Sequence, residues 1–332
     1  MKRILFTALI TIMATMTALA GGKKLIMPAP LKPGDKIAII SPASTPGNDN
    51  PEKAAATLRA WGFNPVIGPH ALSRYQNMYA GTIEERCADL RWALEDPEIK
   101  AIVCTRGGYG SAMLLGPMTH EDFSQHPKWI VGYSDITALH SAMVCSGVMS
   151  LHANMGGALG GRGTDDDINQ MLRYTLMGNL PTYTAPAHPL NKIGTAHGIV
   201  LGGNMAVFTN IGGSKEWDFL DRDNIEGQDI ILFFEDVSES MPRVNSMLQQ
   251  LRLKGVLNQV KAIIVGRFTE YKPGEGYDMN QMLSETLNDY DIPVCYDFPA
   301  SHDEGWNYPI IEGCPATLEV TPEGVTLTFN EQ

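Results

Sequence analysis

Cysteine is scarce and unpatterned in this chain. Cys87, Cys104, Cys145, Cys295 and Cys314 are the only five in 332 residues, with no CxxC pair and no regular spacing. An odd, scattered set of this kind argues against a disulfide framework and reads mostly as small buried apolar residues. Oxidising surroundings would still permit a bridge. There is no HExxH and no paired Cys/His spacing, so the signatures of metal catalysis are missing, and no metal or cofactor is expected. Positive charge is in deficit: 25 Lys and Arg stand against 37 Asp and Glu, a formal net charge of −12. A chain so acidic repels phosphate backbones, which excludes general nucleic-acid binding. Internal repeats and low-complexity tracts are absent, and beyond the N-terminus no apolar run is long enough to cross a bilayer.

What is present begins with MKRILFTALITIMATMTALAGG. Lys2 and Arg3 precede an uncharged apolar stretch that ends in Ala18-Leu19-Ala20 before Gly21. That layout is a secretory signal peptide over residues 1–20, with small residues at the cleavage site. A retained anchor is the rival reading, because Ile4 to Ala20 approaches spanning length, but it leaves the A-x-A site unexplained. Cleavage leaves no stable membrane anchor and takes the net charge to −14, since the segment carries Lys2, Arg3 and no acid. The expected location is outside the cytoplasm, in the periplasm.

With 44% hydrophobic and 19% charged residues, the remainder has the composition of an ordinary globular protein, long enough for two domains. From Lys36 to about Met155 apolar runs alternate with helical patterns. KIAIISPAS is followed by NPEKAAATLRAWG, with Asn50 placed to cap and Pro51 at the first helical position. Phe63–Gly68 is a second strand, TIEERCADLRWALEDPEIK a long helix, AIVCTRGG a third strand, WIVGYSD a fourth and SLHAN a candidate fifth. Short apolar strands alternating with helices predict a parallel sheet covered on both faces, an α/β domain with flavodoxin-like layers over residues 24–181. PTYTAPAHPLNKIGTAHG, residues 182–198, is rich in Pro, Thr and Gly and is the linker candidate. Residues 199–332 then read as a mixed or antiparallel β-rich domain with two or three helices.

Chemistry gathers first at Gly132-Tyr133-Ser134. The tripeptide alone proves little, because Gly-x-Ser recurs at Ser214 and because Ile136 stands where the G-x-S-x-G elbow would have its last glycine. Its setting counts for more: a buried strand runs into Ser134 and a helix starts there, at the carboxyl edge of a parallel sheet where α/β proteins bind ligands. Ser134 is therefore either a nucleophile or a helix cap, for which Ser and Asp are both favoured. CTRGGYG ends the neighbouring strand in a turn whose backbone amides are accessible, as a phosphate cradle or an oxyanion hole needs. A serine nucleophile requires a base and the base an orienting group. Among eight histidines, His140 points away from Ser134, His152 competes, and His302 sits in the turn-rich loop FPASHDEGWNYP, where catalytic side chains gather. Glu235 closes the apolar run IILFFED, and a carboxylate there needs a partner, as does Asp236.

These segments together resemble the LD-carboxypeptidase family of serine peptidases, which includes murein tetrapeptide carboxypeptidases and microcin-immunity-type relatives. The resemblance rests on LKPGDKIAIISPAS, TRGGYG, VGYSDITALH, LGGNM, FFEDVSES with the helix ending QQLRLKG, IIVGRF and IPVCYDFPASH, in that order. It implies a triad of Ser134, Glu235 and His302, with backbone donors from Gly107 or Gly108 and from Asp135 forming the oxyanion hole. It also implies a site between two domains, with Glu and His supplied by the second, and a homodimer. Two departures stand out: Ser301 where members often carry Gly before the histidine, and His152-Ala153-Asn154 where they carry His-Gly-Pro. Arg106 is left between gripping a substrate carboxylate and bracing its own turn, with bracing preferred.

The implied activity is release of the terminal D-alanine from peptidoglycan tetrapeptide stems, with a muropeptide as the partner in solution. Two other readings remain open: an immunity-type hydrolase of peptide–nucleotide antibiotics or acyl-adenylate analogues, and a catalytically silent binder of wall fragments.

Overall fold

A computed structural model describes residues 24–303 and 307–332; the signal-peptide reading of residues 1–20 lies outside them. Five parallel strands, β1 (Lys36–Ile40), β2 (Asn64–Ile67), β3 (Ile99–Cys104), β4 (Trp129–Gly132) and β5 (Ser150–His152), build the first sheet. Helices α1 (Asn50–Ala60), α2 (Ile83–Glu95), α3 (His120–Ser124), α4 (Thr137–Cys145), α5 (Gly156–Arg162) and α6 (Asp167–Leu176) accompany them. Local chemistry explains where these helices start. Thr82 and Glu85 close a reciprocal capping box on α2. Asn50, expected as a cap, is instead the first residue of α1, and Pro51 occupies its first turn, where a missing N–H costs nothing.

The second sheet comprises β6 (Thr182–Pro186), β7 (Gly194–Asn204), β8 (Ile230–Val237), β9 (Ala262–Thr269), β10 (Val294–Phe298), β12 (Pro315–Val320) and β13 (Gly324–Phe329), in the order β10-β9-β8-β7-β12-β13-β6. Its first four members are parallel and the rest antiparallel, so it is mixed. It is attended by α7 (Met205–Asn210), α8 (Arg222–Ile225), α9 (Met241–Lys254) and α10 (Met279–Leu287), one helix more than the sequence pattern suggested. Strand β8 is buried on both faces: Ile231 and Phe233 join one core, and Ile230, Leu232 and Phe234 another beneath α9 and α10. That alternation is what a central parallel strand requires.

The linker candidate at 182–198 proves to be structured. Thr182–Pro186 pairs with β13 as an edge strand, and residues 194–198 open β7. Tyr183 and Ala185 point inward in a strict alternation that five mostly polar residues disguise, and Pro186 is tolerated because the strand lies at an edge. The connection between the sheets is therefore the short segment 177–181. A second join was not legible in the sequence. Strand β11 (Ile310–Glu312) leaves the C-terminal half and pairs antiparallel with β5, extending the first sheet. One continuous core then runs from Ile37 and Val131 through Leu151 and Ile310 to Phe233 and Leu318, locking the two sheets together.

Candidate active site

Strand β4 is fully buried and delivers Tyr133 and Ser134 to the carboxyl edge of the first sheet. Ser134 adopts φ +63°, in the left-handed region, at an estimated cost of about 1–2 kcal/mol to a residue with a Cβ. Such a conformation persists only where its surroundings impose it, and it is common at functional turns. The chain then passes through a 3-10 turn, Ser134–Ile136, into α4. A Cβ on Gly132 would lie 2.8 Å from Ile136 Cγ1, so the branched residue that replaces the last elbow glycine is accommodated by a glycine four positions earlier.

Neither the 3-10 turn nor α4 has a side-chain cap, so the capping role considered for Ser134 is not what the fold uses. The Asp135 carboxylate is turned elsewhere: its Oδ2 accepts from Ser111 N at 2.8 Å and Ser111 Oγ at 2.7 Å. It thereby ties the elbow to the segment following the glycine turn.

Within that turn the glycines divide their roles. A Cβ on Gly107 would fall 3.0 Å from Ser134 Cβ, 3.2 Å from Ser134 Oγ and 3.1 Å from Asp135 N. Gly107 therefore keeps open a backbone notch beside the hydroxyl. Gly108, at φ +95°, faces Ser44 instead, whose Oγ would be 2.5 Å from its Cβ. Arg106 donates from Nη1 to Thr45 O at 3.1 Å, a bracing contact.

The second half brings the ring. His302 Nδ1 lies 2.6 Å from Glu235 Oε2, while Glu235 is wholly buried at the end of β8. The loop after β10 can reach it because residue 266 on β9 is glycine: a Cβ there would meet Ala300 O at 2.4 Å and Glu235 Cβ at 2.9 Å. Burial alone would lower the His302 pKa, but the Glu235 charge and hydrogen bond outweigh it and raise the value above the ordinary 6.5. Its Nε2 has no hydrogen-bond partner among the described residues, and its ring lies 5.0 Å, centroid to centroid, from Tyr133, the residue before Ser134.

Around this pair the polar groups are held tightly. A register shift between Phe234 and Asp236 bends the end of β8. The Asn204 side-chain amide bonds to Glu235 Oε1 at 3.4 Å and Asp236 Oδ1 at 3.0 Å. Asn204 N also donates to Thr137 Oγ1 on the helix that follows Ser134. Burial, then the neighbouring Glu235 charge, pushes Asp236 up to about 7. In the sequence Asn204 is one residue of the segment LGGNM, and the carboxylates it serves, Glu235 and Asp236, are distant from it, so its bridging role is not legible there.

The competing histidines are structural in setting. His140 Nδ1 contacts Ser150 Oγ at 2.6 Å and Nε2 contacts Gly132 O at 2.9 Å; burial lowers its pKa to about 4. His152 is completely buried, packed edge-on against Phe233, and burial holds it well below 6.5.

His302 borders a cavity of about 490 Å³ whose wall includes Tyr133, Asn154, Arg162, Ser301 and Asn307. Asn307 Oδ1 accepts from Ser301 N, its Nδ2 donates to Asn154 Oδ1, and Asn154 Nδ2 donates to Asn169 Oδ1. Of the departures noted in the sequence, Asn154 joins this chain through its side chain, whereas Ser301 joins it through backbone N–H and with its Oγ accepts from Asp303 N at 3.0 Å, so both steady the His302 loop. Cys87, Cys104, Cys295 and Cys314 are buried free thiols.

A half-buried serine on a strained turn, a backbone notch beside its hydroxyl, and a carboxylate-paired imidazole against the ring of the preceding Tyr133 are the components of acyl transfer. Comparison with known proteins points the same way. The LD-carboxypeptidase N-terminal domain matches residues 37–153, and the LD-carboxypeptidase C-terminal domain residues 197–318. A putative carboxypeptidase of Synechocystis is 35% identical over 313 residues, 92% of this chain and 98% of that protein. The crystal structure of muramoyltetrapeptide carboxypeptidase from Oxalobacter formigenes superposes with a TM-score of 0.78 at 25% identity, covering 89% of this chain and 99% of that one. The microcin C7 self-immunity protein of Escherichia coli, solved in complex with aspartyl sulfamoyl adenosine, gives 0.79 at 25% identity over 92% and 99%.

Proposed function

The chain belongs to the LD-carboxypeptidase family of serine carboxypeptidases, and from that premise we propose that it releases the terminal D-alanine of peptidoglycan tetrapeptide stems by a Ser134–His302–Glu235 triad. The observation that carries the reading is the 2.6 Å contact between His302 and the buried Glu235, with the imidazole ring 5.0 Å from that of Tyr133, the residue before a serine held at positive φ. His302 Nε2 takes the Ser134 proton as Oγ attacks the carbonyl of the last peptide bond. Glu235 fixes the ring so that Nε2 faces the reaction and steadies the imidazolium that forms. Backbone N–H groups at Gly107 and Asp135 receive the oxyanion, each donor worth roughly 3 kcal/mol. The imidazolium then protonates the leaving amine, D-alanine departs, and water, activated by the same ring, clears the acyl-enzyme.

The N-terminal leader supports this substrate, because an exported enzyme meets wall fragments outside the cytoplasm. The test is to incubate mature wild type and Ser134→Ala with a purified tetrapeptide muropeptide and measure free D-alanine. Release by the wild type alone is expected. Tight binding of the muropeptide by both proteins without release would favour a wall-fragment binder, and hydrolysis confined to an aminoacyl-sulfamoyl nucleoside would favour the immunity class.

A further inference from the structure

A carboxypeptidase must recognise the free end of its substrate, and a carboxylate moved out of water needs a fixed cation to receive it. We propose that Arg162 is that receptor: it binds the C-terminal carboxylate of the residue to be released. The proposal rests on the serine carboxypeptidase reading above, because it is the ring of His302 that hands a proton to the leaving amine and so places the leaving residue on its own side of the site. The cavity on that side is walled by Arg162 together with Gly157, Ala158 and Gly161, small residues that leave the space between open. At about 490 Å³ it has room for an alanine and for part of the stem preceding it.

Arg162 is arranged as a receptor. Its Nε and Nη2 each meet an oxygen of Asp166 at 2.8 Å, a side-on pair that fixes the guanidinium plane and leaves Nη1 outside the pairing. Asp166 does not cancel the charge fully, because the same carboxylate oxygen accepts from Ile168 N at 3.1 Å and Asn169 N at 3.2 Å at the start of α6. The alternatives are committed elsewhere. Arg106 braces Thr45 O, and Arg267 pairs with Asp303 at 2.9 Å and Asp297 at 3.3 Å, which also offsets Asp303, the one carboxylate on the cavity wall among the described residues. The short helix GGALGGR carries no visible sign of a site in sequence; only the fold sets its final arginine on the wall it shares with the histidine loop.

The discriminating measurement is the ratio of kcat/KM for a tetrapeptide with a free C-terminus to that for the same peptide ending in a carboxamide. Loss of one charge-assisted contact is worth roughly 10- to 100-fold. Arg162→Gln is expected to lower the acid-to-amide ratio by that factor and Arg162→Lys to recover part of it. A ratio is indifferent to the fraction of protein that folds, so a purely structural role for Arg162 would leave it unchanged and would overturn the assignment. Wild-type enzyme that cleaves acid and amide equally well would also overturn it while leaving the carboxypeptidase reading intact. Wild-type enzyme that cleaves neither, giving no D-alanine from the acid and no D-alaninamide from the amide, would sink that reading and this one with it.

Discussion

Glu235 and His302 lie 67 residues apart in sequence, yet the fully buried carboxylate and the imidazole Nδ1 meet at 2.6 Å. The meeting depends on backbone rather than side chains: Gly266 removes the Cβ that would hold the histidine loop away from β8. A carboxylate in so dry a place interacts strongly with whatever charge it faces, and the imidazolium is the charge it stabilises.

The pH profile should report this pairing. In the proposed triad His302 must be neutral to accept the Ser134 proton, and its pKa is raised, so the acid limb of kcat/KM should fall above pH 6.5. Its contribution to stability has the opposite trend: it is fully present below about 6.5 and is lost as pH rises through the folded value. In Glu235→Gln the acid limb should move to lower pH while kcat drops on the order of 10³- to 10⁴-fold, as when a triad acid is neutralised. An unmoved limb would mean that some other group sets it.

Ser134 offers a test that separates strain from chemistry. Ser134→Ala and Ser134→Gly both remove the hydroxyl and should both abolish release of D-alanine. They differ in the backbone, because glycine adopts φ +63° freely and alanine does not. After allowing for the extra freedom glycine gives the unfolded chain, the glycine variant should be the more stable by about 0.5–1 kcal/mol in denaturant titration. Greater stability of the alanine variant would show that the turn is not held in a strained state.

Glu312 should make stability pH-dependent at the seam between the sheets. It sits on β11, which pairs with β5, yet its Oε2 accepts from Gly202 N of β7 at 2.9 Å, and Oε1 has no partner among the described residues. Burial pushes its pKa up to about 8. Between the unfolded carboxyl value, about 4.3, and that folded value, the native state holds a proton that the unfolded state has lost, so stability falls as pH rises through this window. Glu312→Gln imitates the protonated acid and should flatten the fall, giving a variant more stable than wild type at pH 8–9 by a few kcal/mol. Equal slopes for the two proteins would exclude Glu312 as the cause.

Much of this architecture was legible because it is written in local patterns. The strands feeding the site are short apolar runs, and Ser134, Glu235 and His302 each stand at or soon after the end of one. The remainder depends on distant partners. Edge strand β6 looked like a linker because its inward residues, Tyr183 and Ala185, are separated by threonines and closed by proline. Strand β11 has three residues, and nothing in Ile310–Glu312 announces that it crosses to the first sheet. The bridging of Asn204, the chain from Asn154 to Ser301 and the placing of Arg162 all join residues from separate elements, so spacing alone could not reveal them.

Two glycine-to-alanine changes should have opposite signatures, and together they test whether Gly107 serves chemistry or folding. At Gly202 an added Cβ would lie 1.7 Å from Phe233 O, a backbone atom of the neighbouring central strand that cannot withdraw. Gly202→Ala should therefore lose several kcal/mol and much of its soluble yield. At Gly107 the nearest atoms are Ser134 Cβ at 3.0 Å, Asp135 N at 3.1 Å and Ser134 Oγ at 3.2 Å. A few tenths of an ångström of movement relieves that crowding, so the protein should fold with a melting temperature near that of wild type. The same movement displaces the hydroxyl and narrows the notch where the oxyanion would sit, and loss of one oxyanion donor costs on the order of 100-fold in rate. The loss should appear in kcat with KM little changed, since the notch is filled only in the transition state. A Gly107→Ala enzyme with normal kcat would remove the glycine turn from the oxyanion hole and leave Asp135 to be tested in its place.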